Sequence, residues 1–170
     1  MDLKAIIRDI PDFPKKGIIF KDITTLLKDP EAFREAINLM AEHYKNYDFD
    51  YIVGIEARGF IVGAPMAIQM GKGFIPIRKP GKLPGETISM SYELEYGSNE
   101  IEIHSDAIKE GDKVLIIDDL LATGGTVAAA VKMIKELGGE LQGIGFLFEL
   151  AFLNGREQLK GEDVFSLLRE

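Results

Sequence analysis

Between Val114 and Thr126 the chain reads V-L-I-I-D-D-L-L-A-T-G-G-T: an apolar run ending in two carboxylates, a turn of small residues with two hydroxyls and two glycines, then a helix-forming stretch. Each piece suits part of a sugar phosphate. Adjacent acids leaving a buried strand are costly to bury without partners, and ribose hydroxyls can donate to both Asp118 and Asp119. Glycines allow successive N–H groups to aim at one point, and a helix N-terminus adds unpaired N–H groups and the positive end of its dipole. Ala122, Thr123, Gly124, Gly125 and Thr126 therefore make a cradle for a phosphate monoester. No lysine follows the glycines, so this is not the loop of the P-loop nucleotide hydrolases. The acids are open to two other roles, helix capping and metal ligation. Direct ligation by both is awkward, because consecutive strand residues point to opposite faces. The same carboxylates would stabilise positive charge developing on a sugar.

Cationic residues gather at two other places. Arg58 sits in a glycine-flanked turn, and Arg78, Lys79 and Lys82 fall within five positions. A cluster of this kind either binds an anionic ligand or is a solvated face, and the two are not separated by composition. The chain has a net charge of −8, which argues against a nucleic-acid binder with its basic face. With 170 residues, 46% of them hydrophobic, it can build one domain with a substantial core, read here as spanning 1–170. No stretch approaches the roughly 20 apolar residues that cross a bilayer. The opening M-D-L-K-A-I-I-R-D-I-P is broken by charges and a proline and is not expected to be a signal peptide. Cysteine is absent, so disulfides and thiolate metal sites are excluded; a cytoplasmic location and no membrane partner are expected.

The elements that must position these residues alternate. Helical spacing marks residues 31–46 through Phe33, Ile37, Met40 and Tyr44, and 60–70 through Phe60, Ile61, Ala64 and Ile68. A third helix is expected over 126–137, with Val127, Val131 and Ile134 inward and a stop at Gly138-Gly139. Strands are expected at 51–55, 74–77, 114–117 and 142–150, the last two apolar on both sides as in a sheet covered on both faces. Strands alternating with helices imply βαβ units: an α/β fold with a mainly parallel sheet flanked by helices. From Glu86 to His104 the period changes to two, with a turn expected at Gly97-Ser98-Asn99, which makes a hairpin off the main sheet. The segment K-P-G-K-L-P-G just before it marks a flap over 79–104. His43 and His104 are too far apart to suggest a metal site, and His104 is expected to face solvent.

The stretch 114–126 resembles the phosphoribosyl pyrophosphate motif of the type I phosphoribosyltransferases. Four more segments resemble the adenine phosphoribosyltransferase family, in order: G-I-I-F-K-D-I-T-T-L-L-K-D-P (17–30), G-I-E-A-R-G-F (54–60), I-R-K-P-G-K-L-P (77–84) and Y-E-L-E-Y-G (92–97). The resemblance runs from Asp12 to about Leu168. It implies the type I phosphoribosyltransferase fold with a flap hairpin and a small N-terminal hood, residues 1–30. It implies transfer of phosphoribosyl from phosphoribosyl pyrophosphate to adenine, giving AMP and pyrophosphate in purine salvage. Asp118 and Asp119 would bind the ribose hydroxyls and Ala122 to Thr126 the 5′-phosphate. Glu56, Ala57, Arg58 and Gly59 would form the pyrophosphate loop, with a cis peptide expected after Ala57. Arg78, Lys79 and Lys82 would meet the pyrophosphate, some of them across a subunit boundary in a homodimer. Ile19, Phe20 and Lys21 would bind adenine, Phe20 by stacking and the other two through their backbone. Glu95 on the flap would be the catalytic acid, and Mg²⁺ would arrive on the substrate with no direct side-chain ligand. Lys21 stands where many relatives carry Arg, and Glu56 where some carry Asp.

The rival readings are a phosphoribosyltransferase for another purine base and a non-catalytic regulator that senses phosphoribosyl pyrophosphate. A regulator would be expected to bring a DNA-binding domain and a basic face. A dinucleotide-binding domain fails, because no G-x-G-x-x-G opens a βα unit.

Overall fold

The computed structural model describes residues 1–94 and 97–170. In chain order the elements are α1 (Leu3–Ile6), β1 (Arg8–Pro11), β2 (Ile19–Asp22), α2 (Thr24–Lys28), α3 (Pro30–Tyr44), β3 (Tyr51–Ile55), α4 (Arg58–Met70), β4 (Gly73–Ile77), β5 (Thr87–Glu93), β6 (Ser98–His104), β7 (Lys113–Leu121), α5 (Gly125–Glu136), β8 (Glu140–Glu149) and β9 (Val164–Arg169). Five strands form one parallel sheet in the order β4-β3-β7-β8-β9. Its central strands split their side chains by parity. Val53, Ile55, Val114 and Ile116 face a core shared with α5 and the β5-β6 hairpin, whereas Ile52, Leu115 and Ile117 face a second core under α3 and α4. Burial on both faces explains why these strands read as unbroken apolar runs.

Local chemistry places the helices. Asp29 caps α3 by accepting from the N–H groups of Glu31 and Ala32, and Pro30 occupies the first turn, where no N–H is required. The inward face of α3 carries Ile37, Met40 and Tyr44 as the spacing requires. Helix α4 departs from its expected face. Val62, Met66 and Ala67 are buried, while Ile61 is exposed and Ile68 is 84% exposed. This helix is apolar nearly all round, so periodicity could not say which side meets the sheet.

Three other expectations need correction. Strand β7 does not stop at Ile117; Asp118 pairs with Phe146 and Leu120 with Phe148, so the acids lie within the strand. The hairpin turn is not at Gly97-Ser98-Asn99, because Ser98 and Asn99 already pair with Glu93 and Tyr92 in the β5-β6 ladder. His104 is half-buried and its Nε2 donates to the Pro84 carbonyl at 2.6 Å. Strand β9 was not foreseen; Val164 to Leu168 are all half-buried and show no period, and Arg169 is exposed.

The N-terminal segment forms a separate antiparallel pair, β1-β2. Asp22 pins it: its carboxylate accepts from Arg8 Nη2 at 2.5 Å, Thr24 Oγ1 at 2.6 Å and Thr24 N at 2.9 Å. The β5-β6 hairpin also stands off the main sheet, joined to the end of β4 by a bridge between Arg78 and Glu102.

Candidate active site

At the carboxyl edge of the sheet a cavity of about 250 Å³ is lined by Ile55 to Arg58 and by Asp118 to Val127. The acid pair, the glycine loop and the β3-α4 turn, far apart in the chain, thus share one wall. The loop turns at Gly124, whose φ of +88° suits glycine, and α5 begins at the next residue. Space also demands glycine there, since a Cβ on Gly124 would meet the Gly155 carbonyl at 2.5 Å. A Cβ on Gly155 would in turn meet the Ala122 carbonyl at 2.4 Å. The turn after β8 is therefore packed backbone to backbone against the rear of the 122–126 loop.

Gly155 is held by a charged cluster at the end of β8. Glu149, buried, accepts two bonds from Arg156, Nε at 2.9 Å and Nη2 at 2.8 Å, and one from Ser166 Oγ at 2.6 Å. The Arg156 bond, helped by Ser166 and against burial, holds the Glu149 carboxyl below its usual range. Sequence reading passed over Gly155, Arg156 and Glu149. The local signal is an Asn-Gly pair, Asn154-Gly155, at the end of a short turn that follows an apolar strand.

The two acids are not equivalent. Asp119 is buried and pairs with Arg58 Nε at 2.9 Å. The carboxyl of Asp118 accepts from the Asp119 N–H at 2.9 Å and stands so close to Gly59 that a Cβ there would meet it at 2.7 Å. Desolvation, and next the charge of Asp119, push the Asp118 carboxyl well above its usual range. Gly59 thus lies behind the cavity wall, where it lets α4 approach β7. The non-proline cis peptide is Glu56–Ala57, one bond earlier than expected; a second cis bond, Phe13–Pro14, precedes a proline in the hood segment.

A second cavity of about 460 Å³ adjoins the first, sharing Ile55, Glu56 and Thr126. Arg78, Lys79, Tyr92 and residues 98–101 of the hairpin complete it. Glu56 accepts from Arg78 Nε at 2.7 Å. Burial alone would raise the Glu56 carboxyl, but the Arg78 bond, the Lys79 amide and the charges of Arg78 and Lys82 outweigh it and leave it below its usual range. Lys82 is exposed and lines neither cavity. Among the described residues no three His, Cys, Asp or Glu side chains converge in a way that could hold a metal ion.

The hood meets the site through one side chain. The Arg58 guanidinium lies 5.7 Å from the centre of the Phe20 ring, while its Nε holds Asp119. Phe13 packs edge-on against the same ring at 5.1 Å. Strand alternation sends Lys21 the other way. Its Nζ bonds Asp9 and Glu170, each at 2.6 Å, and its side chain is only 11% exposed. Glu95 and its neighbour Tyr96 lie outside the described residues.

A parallel sheet with an acid pair and a glycine loop opening a helix at its carboxyl edge, and two separate antiparallel pairs, β1-β2 and β5-β6, fits a phosphoribosyl transferase domain, and the family model of that description matches residues 22–165. Over all 170 residues the chain is 69% identical to an adenine phosphoribosyltransferase of Halothermothrix orenii, covering 100% of both. It superimposes with a TM-score of 0.97 on the adenine phosphoribosyltransferase of Thermoanaerobacter pseudethanolicus, at 55% identity and covering 99% of this chain and 98% of that one. The Saccharomyces cerevisiae enzyme, complexed with an imino-altritol bisphosphate and adenine, gives a TM-score of 0.92 at 42% identity, over 98% of this chain and 97% of that one. The chain belongs to the adenine phosphoribosyltransferase family.

Proposed function

We propose that this protein transfers the 5-phosphoribosyl group of phosphoribosyl pyrophosphate to adenine, releasing AMP and pyrophosphate, and so salvages a free purine base. The observation that carries the reading is the double contact of Arg58, which puts the sugar-binding acids and the hood ring one guanidinium apart. A base stacked on Phe20 would have its glycosidic nitrogen directed at a sugar held by Asp118 and Asp119. The relatives' shared name, and the adenine in the yeast complex, favour adenine as that base.

In this reading Ala122 to Thr126 hold the 5′-phosphate on loop N–H groups and the α5 N-terminus. Ribose hydroxyls replace Arg58 on Asp119, and Arg58 turns to the pyrophosphate together with Glu56-Ala57 of its loop, while Gly59 behind them only lets α4 sit close to β7. Arg78 exchanges Glu56 for the leaving group, and Lys79 stands beside it. Mg²⁺ carried on the substrate, with no cluster of ligating side chains among the described residues to hold it, would supply further charge neutralisation at the pyrophosphate. The N9–C1 bond forms as the C1–O bond breaks, the electron pair leaving with pyrophosphate. The two aspartates stabilise the positive charge on the ribose ring. Glu95, the acidic residue assigned by family resemblance, takes the N7 proton on its carboxylate (a base in this direction, the acid of the reverse one) as the flap (79–104) closes and excludes water. The backbone at Ile19 and Lys21 in the hood (1–30) reads the purine edge; with the Lys21 side chain committed to Asp9 and Glu170, Lys in place of Arg is a mild change.

The reading includes a homodimer in the cytoplasm. The exposed apolar face of α4, Ile61 and Ile68, is the surface offered for the dimer contact, and Lys82 is the basic residue offered to the partner's site. Purified protein with Mg²⁺, phosphoribosyl pyrophosphate and each purine base should release pyrophosphate fastest with adenine. Faster release with hypoxanthine or guanine would reassign the base, and no release with any base would leave the sensing regulator. Glu95→Gln should lower kcat by about a hundredfold or more with little change in KM; an unchanged kcat would make Glu95 an ordinary surface carboxylate.

A further inference from the structure

The β5-β6 hairpin touches the phosphate cradle at one polar point. Thr126 Oγ1 lies 2.8 Å from the Tyr92 hydroxyl, and a Cβ on Gly125 would stand 3.5 Å from the Tyr92 ring. Tyr92 is on the inward side of β5 with Ile88 and Met90, packed against the core that includes α5, so its ring is held and its hydroxyl has a set position. Thr126 lines both cavities, and Tyr92 lines the second.

We infer that Tyr92 is a positioning residue of the 5′-phosphate seat: it holds the Thr126 hydroxyl so that the single Thr126 proton is delivered to the phosphate. This rests on the reading that Ala122 to Thr126 hold a ribose 5-phosphate. Each hydroxyl has one proton and two lone pairs. With the seat free, Thr126 donates to Tyr92. A phosphate dianion is a stronger acceptor than a phenol oxygen. When it enters, the Thr126 proton turns to it, and the Tyr92 proton turns to the vacated lone pair of Thr126. The result is a chain from Tyr92 through Thr126 to phosphate, in which each bond polarises the next. Only two hydrogens rotate. The heavy-atom distance of 2.8 Å already suits either direction of donation. The phosphate gains a fixed, strengthened donor, and the hairpin gains a firmer tie to the start of α5 whenever the seat is filled.

Calorimetric titration of the whole protein with ribose 5-phosphate, and separately with Mg²⁺-pyrophosphate, tests this on wild type, Tyr92→Phe, Thr126→Val, the double variant and Thr126→Ser. Tyr92→Phe keeps the ring and the packing. It should weaken ribose 5-phosphate about three- to tenfold and pyrophosphate clearly less, since Tyr92 lines the neighbouring cavity but its hydroxyl bonds only Thr126. The double variant should bind no more weakly than Thr126→Val alone, because Tyr92 then has no hydroxyl to orient. Adding Tyr92→Phe to Thr126→Ser should restore the full loss. Unchanged ribose 5-phosphate affinity in Tyr92→Phe would overturn the proposal, as would an equal loss for pyrophosphate or effects that simply add. Wild type failing to bind ribose 5-phosphate would instead overturn the phosphate-seat reading, and the proposal with it.

Discussion

Two carboxylates on consecutive residues, with one of them paired to Arg58, divide the electrostatic work unevenly. Asp119 has a cation at 2.9 Å, whereas Asp118 is desolvated beside the Asp119 charge and is pushed up. A carboxyl raised in the folded state costs stability once it must ionise. That cost is absent below the ordinary carboxylate value and grows as pH rises through the folded one. Asp118→Asn removes the titration. Its melting temperature should match wild type near pH 4 and exceed it increasingly toward neutral pH, as scanning calorimetry at several pH values would record. The same variant should bind phosphoribosyl pyrophosphate about ten- to a hundredfold more weakly, having lost a charged acceptor for a ribose hydroxyl. A melting difference that stays constant with pH would show that Asp118 carries no such cost. Arg58 matters at this scale for a different reason. Bound to Asp119 and lying over Phe20, it gives the buried Asp119 carboxylate its counter-charge.

The elements are braced by contacts that no single stretch of sequence contains. The 122–126 loop leans on the turn after β8, where the Gly155 and Ala122 backbones touch and Arg156 and Glu149 hold the turn in place. Gly155→Ala must push the cradle forward or the turn back, an overpacking cost of about 1–3 kcal/mol. The KM for phosphoribosyl pyrophosphate should rise about tenfold or more, with adenine binding little changed; an unchanged KM would mean the cradle does not depend on this brace. In the hood, Asp22 has its carboxyl lowered to about 2 by the Thr24 hydroxyl first, then Arg8, then the Thr24 N–H. A carboxyl lowered in the folded state adds stability above its ordinary value of 3.8, and that stability is lost as pH falls through about 2. Because Arg8 is more than half exposed, screening limits the gain to about 1–2 kcal/mol. Asp22→Asn should therefore melt lower than wild type at pH 5 to 7, and the gap should close as pH approaches 2. A gap that persisted at pH 2 would assign the loss to packing rather than charge.

Across the whole molecule, apolar surface is distributed in a way that one chain leaves unexplained. Two cores cover the sheet, yet α4 presents Ile61 and Ile68 outward, with Ile68 84% exposed. An exposed apolar helix face beside a catalytic edge is the kind of surface a second copy would cover. Ile68→Glu should shift the protein toward monomer mass in light scattering after size exclusion, while its helical circular dichroism is retained. A dimer that persists at the same concentration would place the interface elsewhere.

Chemistry confined to contiguous residues was open to reading from the chain alone. The acids and the glycine loop fall within thirteen positions, and that they would share one cavity wall was foreseeable from the strand-to-helix change around them. The central strands and α3 were equally plain, because a strand buried on both faces is apolar throughout and a helix with one buried stripe shows its period. Folding settled what depends on which distant residues become neighbours. It chose the inward face of α4, which an all-round apolar pattern cannot specify, and ran β7 past the acids because β8 supplied partners. It turned Lys21 away from the site toward Glu170 and set Tyr92 against Thr126, 34 residues apart. Those contacts have no local signature, because their energy appears only when both partners are desolvated at the same place.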